Sequence, residues 1–150
     1  MKKIIYFILL VLWLIVIFIL SNQNGEISGS NSAGIIESIL DIIYSLFHLS
    51  KNNLNDVVQL LQNPIRECAH SFEYFILAFL TFKNLDSIQI KGNKYIITLL
   101  FCFICASFDE IHQLFISGRT FQYFDILMDT LGVILMLLII KVGSVKKSLY

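Results

Sequence analysis

Residues Ile4 to Leu20 form an unbroken apolar run with no charge and no proline, close to the roughly 20 residues a helix needs to cross a bilayer core. A run of that kind must be given to lipid or be removed as a signal peptide. Lys2 and Lys3 precede it, as in a signal peptide, but the apolar region is long and Ile19, Leu20 and Ser21 offer no A-x-A-like cleavage site. The run reads as a retained anchor.

Composition extends that reading to the rest of the chain. Of 150 residues, 57% are apolar and 15% charged, and the mean hydropathy is +0.77. A soluble domain has about a quarter of its residues charged. The 11 Lys and Arg cancel the 11 Asp and Glu, which excludes a disordered polyelectrolyte and a basic nucleic-acid binder.

Three more apolar stretches follow, at Arg66 to Phe82, Tyr95 to Ile116 and Phe121 to Ile140. The expected fold class is all-α, a polytopic membrane protein of about four transmembrane helices forming a single membrane domain over 1–150, with an amphipathic helical segment at the outer surface. Pro64 falls just before the second stretch, where a helix tolerates the missing N–H. Ser117, Gly118, Arg119 and Thr120 join the last two stretches, so these should form an antiparallel hairpin. With the N-terminus inside, Lys2, Lys3, Lys83, Lys91, Lys94, Lys141, Lys146 and Lys147 lie on the inner side, against Lys51, Arg66 and Arg119 outside. The positive-inside rule therefore places both termini in the cytoplasm of a multi-pass plasma-membrane protein.

Residues 21–65 are then the long outer connection. Its start, SNQNGEISGSNSAG, reads as loop because it is rich in Gly and Ser. Next, Ile35, Ile39, Ile42, Ile43 and Leu46 recur at helical spacing, with Glu37, Asp41, Tyr44 and His48 on another stripe. Such a segment belongs on the interface.

Ionisable residues inside spans are costly, so they usually face a bundle interior and mark function. Arg66, His70 and Glu73 share one helical face, flanked by Tyr74. Asp109, His112 and Gln113 fall within one arc, with Glu110 at its edge and Cys102, Cys105 and Ala106 continuing inward. Asp125, Asp129 and Gly132 share a stripe on the last span. Counting turns from the outer end puts Arg66 and Arg119 at a mouth, His70, His112, Gln113 and Asp125 next, and Glu73, Asp109 and Asp129 deeper. These layers predict one outward-opening polar pocket.

The same residues resemble the VanZ-like family of bacterial membrane proteins. The resemblance covers nearly the whole chain in three blocks: Ser21, Gln23, Ser28 and Ser32; Arg66, Ala69, His70, Glu73 and Tyr74; and Asp109 to Arg119 followed by Asp125, Asp129 and Gly132. The family usually has a basic residue where this chain has Glu67, and often an asparagine at Asp129. The resemblance implies a role in the bacterial cell envelope; the founding member is associated with resistance to the antibiotic teicoplanin.

The arginines suit a carboxylate or phosphate, and equally suit neutralising Glu67, Glu73, Glu110 or Asp125. His70 and His112 could carry protons, and Asp109, Glu110, Glu73 and Asp129 could serve as acid and base or hold a divalent cation. No H-E-x-x-H spacing is present, and no cofactor is expected beyond such a cation. Cys102 and Cys105 read as small packing residues.

Three functions remain open. The leading one is binding or translocation of an anionic or glycosylated envelope lipid by Arg66, His70, Glu73, Tyr74, Asp109, Glu110, His112, Gln113, Arg119, Asp125 and Asp129. The second is a hydrolase or transferase with His70, Asp109, Glu110 and His112 as catalytic candidates. The third is an accessory subunit docking another membrane protein. Partners are the lipid bilayer and an envelope lipid, without nucleic acid, and so few spans are compatible with a homo-oligomer.

Overall fold

The computed structural model describes residues 2–46 and 54–148, with the side chains of Glu26, Val145, Lys146, Lys147 and Ser148 outside the description. His48 and Lys51, which figured in the interfacial stripe and the charge bias, lie outside the described residues. Those residues form five helices and no strand: α1 (Lys2–Ser21), α2 (Gly25–Leu46), α3 (Leu54–Ser87), α4 (Lys94–Gln113) and α5 (Tyr123–Ser148).

Among the described residues, three segments are long and apolar enough to cross a membrane, Lys2–Ser21, Lys94–Gln113 and Tyr123–Ser144. The expected count was four. The stretch 66–82 fails on composition, because Arg66, Glu67, His70 and Glu73 crowd its first turns. Length is no obstacle, since the 34 residues of α3 would reach about 50 Å at 1.5 Å per residue. Pro64 is also not at a helix start. It lies inside α3, where it leaves the Leu60 carbonyl without its usual donor.

The connection after α1 differs as well. The Gly- and Ser-rich stretch expected to be loop is helical from Gly25, because Asn24 caps it: its side chain accepts from the Ile27 N–H at 2.8 Å. Ser28, Ser32 and Ile36, four residues apart, are buried, and Gln62 of α3 donates to the Gly29 carbonyl at 2.9 Å. Small side chains here permit a close helix approach. The apolar stripe Ile35, Ile39, Ile42, Ile43 and Leu46 remains exposed.

Helix α3 packs against each of the other four. Leu10 and Ile17 of α1, Tyr74, Leu77, Ala78 and Leu80 of α3, Cys102 and Ala106 of α4, and Val133, Met136 and Leu137 of α5 form one buried core. Where α3 meets α5, Gly132 lies against the Ser71 backbone so closely that a Cβ would overlap the Ser71 carbonyl oxygen. Ser71 Oγ donates to the Met128 carbonyl at 2.9 Å beside it. Across the α1–α3 contact Trp13 Nε1 donates to the Glu73 carbonyl at 2.9 Å. Trp13→Phe keeps most of the packing and removes that donor, so thermal unfolding in detergent should show a loss of about 1 kcal/mol.

Much large apolar surface points outward, including Ile4, Phe7, Leu12 and Phe18 on α1, Leu100, Phe103 and Ile104 on α4, and Leu135, Leu138 and Ile139 on α5. Water would not tolerate such continuous patches; the apolar helices fit a lipid bilayer.

Between α3 and α4, Asn93 caps α4 by accepting from the Tyr95 and Ile96 N–H groups. Lys94 Nζ lies 2.6 Å from Asp86 Oδ1, and this ammonium holds the Asp86 carboxyl below its ordinary value. A depressed carboxyl stabilises the fold above its unfolded-state pKa and loses that contribution as pH falls through the folded value. The Asp86 side chain is 56% exposed, so the contribution is under about 1 kcal/mol. Asp86→Asn should therefore unfold slightly earlier than wild type at neutral pH, and the two should converge well below pH ~4.

Candidate functional site

The end of the bundle where α1 finishes and α5 begins collects most of the polar side chains. Helix α4 stops at Gln113 and the chain turns through Gly118, whose φ of 75° suits glycine. The Gly25 N–H donates to the Ser117 carbonyl at 3.2 Å, and a Cβ on Gly25 would overlap the Gly118 carbonyl oxygen. This contact fixes the start of α2 to the α4–α5 link. Arg119 follows directly, donating from Nε to the Gln23 carbonyl at 3.1 Å and from Nη1 to Gln113 Oε1 at 2.9 Å. Gln113 in turn donates to Asp109 Oδ2 at 3.0 Å.

Arg119 thus reaches a cleft of about 400 Å³ formed mainly by α2 and α3. Arg66, His70 and Glu73 line it from α3, and Gln23, Ser28, Asn31 and Ser32 line it from the α1–α2 side. His70 Nδ1 is 3.8 Å from Glu73 Oε2, and Arg66 Nη2 is 3.4 Å from Glu67 Oε1. Arg119 Nη2 is buried without a hydrogen-bond partner among the described residues. Burial, and then the neighbouring Arg66 charge, lower the Arg119 pKa from its ordinary value; the guanidinium remains a cation. Two cations so placed repel each other less when an anion lies between them.

A second crevice, about 320 Å³, lies against α1. Tyr74, Asp109 and His112 line it with Leu14, Ile17 and Phe18. His112 Nε2 is 3.3 Å from Asn22 Oδ1, and its ring lies 5.1 Å from that of Phe18. The single predicted pocket is therefore divided into two cavities, with Gln113 linking Arg119 of one to Asp109 of the other.

Four predicted residues line neither cavity. Glu110, Gln113, Asp125 and Asp129 are buried. Glu110 Oε1 accepts from the Gln122 N–H at 2.6 Å, tying the end of α4 to the approach to α5. Asp125 Oδ1 and Asp129 Oδ1 have no partner among the described residues. Glu67 is buried too, with Oε2 unpartnered.

Asn31 joins the cleft lining without having been singled out, because the stretch holding it reads as loop. Its signal was Asn24 ahead of Ser28 and Ser32, a cap followed by small residues at helical spacing. Among the described residues no group of three or more His, Cys, Asp or Glu side chains is arranged to hold a metal ion.

The VanZ/LLP1 family model matches residues 6–144. The chain belongs to this family. The match takes in α1 from Tyr6, all of α2, α3 and α4, and α5 up to Ser144, so the arginine cleft and the crevice both lie within the VanZ-like part. No curated protein and no solved structure matches the chain.

Proposed function

We propose that this VanZ-like chain is a multi-pass protein of the bacterial plasma membrane whose arginine cleft opens outward and binds or translocates an anionic or glycosylated envelope lipid. The observation that carries the reading is the convergence of Arg66 and Arg119 on one cleft, with a buried guanidinium nitrogen left without a partner among the described residues. A phosphate or carboxylate would supply the missing acceptor. The hydroxyls and amides of Ser28, Ser32, Asn31 and Gln23 at the same cleft suit a sugar or headgroup.

Helix α3 is the fourth span in this reading. Its Leu77, Ala78 and Leu80 share a core with residues of α1, α4 and α5, which supports its crossing beside them. Its polar face is then shielded by protein, as ionisable groups in spans require. The lysine bias places both termini in the cytoplasm, and the exposed isoleucine stripe of α2 lies in the outer interface. A change in teicoplanin susceptibility on deletion would follow from this envelope role.

Binding takes precedence over hydrolase or transferase chemistry because the four catalytic candidates do not converge. His70 lines the arginine cleft, Asp109 and His112 line the crevice, and Glu110 is engaged by the Gln122 N–H.

Cysteine labelling tests site and orientation together. In a background lacking the 3 native cysteines, Asn31→Cys should react with a membrane-impermeant maleimide on intact cells, and added phosphatidylglycerol should slow it. Lys91→Cys should react only after lysis. Labelling of Lys91→Cys on intact cells would refute the orientation, and indifference of Asn31→Cys to anionic lipid would refute the ligand class.

A further inference from the structure

The opposite end of α1 carries a third cavity, larger than the arginine cleft. It measures about 720 Å³ and is lined by Lys2, Lys3 and Tyr6 of α1 and by Lys83, Asp86 and Ser87 of α3. Leu20, at the other end of α1, lines the arginine cleft. About 18 residues of helix, near 27 Å at 1.5 Å per residue, separate the two sites.

Three lysines, Lys2, Lys3 and Lys83, line it from segments far apart in sequence, against one carboxylate, Asp86. The lining carboxylate, Asp86, is engaged by Lys94 at 2.6 Å. Lys83 is half-buried, with its ammonium 5.6 Å from the Phe79 ring, a contact that helps position a cation. The first turn of α1 has no acidic side chain, although its N–H groups lack intrahelical acceptors and that end of the helix favours an anion. Tyr6, one turn along from Lys2 and Lys3, adds a hydroxyl donor to the lining. Compact cations, a hydroxyl and helix N–H groups around a cavity match a phosphate group, which presents several acceptor oxygens at once.

We infer that the cavity formed by Lys2, Lys3, Tyr6 and Lys83 binds a phosphate ester, in the form of an anionic phospholipid headgroup held at the lysine end of the bundle. This site is separate from the arginine cleft and does not depend on the function assigned to that cleft.

The test compares wild type with the triple variant Lys2→Gln, Lys3→Gln and Lys83→Gln in nanodiscs of mixed phosphatidylcholine and phosphatidylglycerol. Lipids retained after extraction are counted by native mass spectrometry. Wild type should retain phosphatidylglycerol preferentially, and the triple variant should lose that preference by about tenfold or more. Added salt should weaken retention in wild type. Wild type and triple variant are also compared in an Arg66→Ala background, which removes the outward cleft's share; the lysine-dependent preference should persist there, which separates the outcome from that of the outward cleft. Helical circular dichroism verifies that the triple variant is folded, and Lys83→Arg, which keeps the charge, should keep the preference. A second arm titrates glycerol phosphate into protein in phosphatidylcholine alone. Lysine-dependent binding there without a phosphatidylglycerol preference would assign the same chemistry to a soluble phosphate ester and overturn the lipid source. Equal phosphatidylglycerol retention by wild type and the triple variant, with no lysine-dependent glycerol phosphate binding, would overturn the site.

Discussion

Arg119→Ala is expected to lose both ligand and stability, whereas Arg66→Ala should lose ligand alone. Arg119 holds the Gln23 carbonyl and Gln113 Oε1, so its removal leaves two acceptors without their donor and frees the α4–α5 link from the end of α1. Hydrogen bonds from a charged group contribute about 1.5–3 kcal/mol each. With partial rehydration, a total of about 2–4 kcal/mol is expected, readable as a lower unfolding temperature in detergent. Arg66 makes one long contact, 3.4 Å to Glu67, and its alanine variant should unfold within about 1 kcal/mol of wild type. Each variant should reduce affinity for an anionic envelope lipid by about a hundredfold, as buried arginine anchors do. Arg119→Lys keeps the charge but cannot reproduce the planar fork, so it should recover only part of either loss.

Gly132→Leu is expected to prevent the bundle from assembling. A Cβ at this position already overlaps the Ser71 carbonyl oxygen and approaches its hydroxyl. Neither backbone can yield without separating α3 from α5 and breaking the bond from Ser71 to Met128. Gly132→Ala should cost about 3 kcal/mol, the upper range for overpacking, and leucine should leave little folded protein by size-exclusion chromatography. Gly34 is the matched control: it also lies within a helix, yet nothing approaches its Cβ position within 4 Å. Gly34→Ala should be neutral or raise stability by up to about 1 kcal/mol.

The contrast between these glycines shows how far the residue pattern could lead. Gly132 shares a stripe with Asp125 and Asp129, and that stripe faces the bundle interior as its spacing required. The apolar runs around α1, α4 and α5 were legible because lipid-facing surface needs continuous hydrophobicity. Helix α2 was hidden by its glycines and serines, whose loop preference is outweighed by the Asn24 cap and by close packing on α3. The early start of α3 was hidden by Pro64, which lies inside the helix and not at its first turn. Within the site, helical spacing brought Arg66, His70 and Glu73 together correctly as one face. It could not show that Gln113 would join two cavities, since that depends on the path of the α4–α5 link around Gly118.

The central claim is that the two arginines hold an anionic envelope ligand, and mass spectrometry of lipids bound to the purified protein tests it most directly. Wild type isolated gently from a bacterial host should carry a phosphate- or carboxylate-bearing amphiphile. In a background with the lysine-end site removed by Lys2→Gln, Lys3→Gln and Lys83→Gln, Arg66→Ala, folded to the same extent, should carry almost none of it. Identical bound lipids in both proteins, or a wild-type cleft occupied only by neutral lipid, would contradict the account.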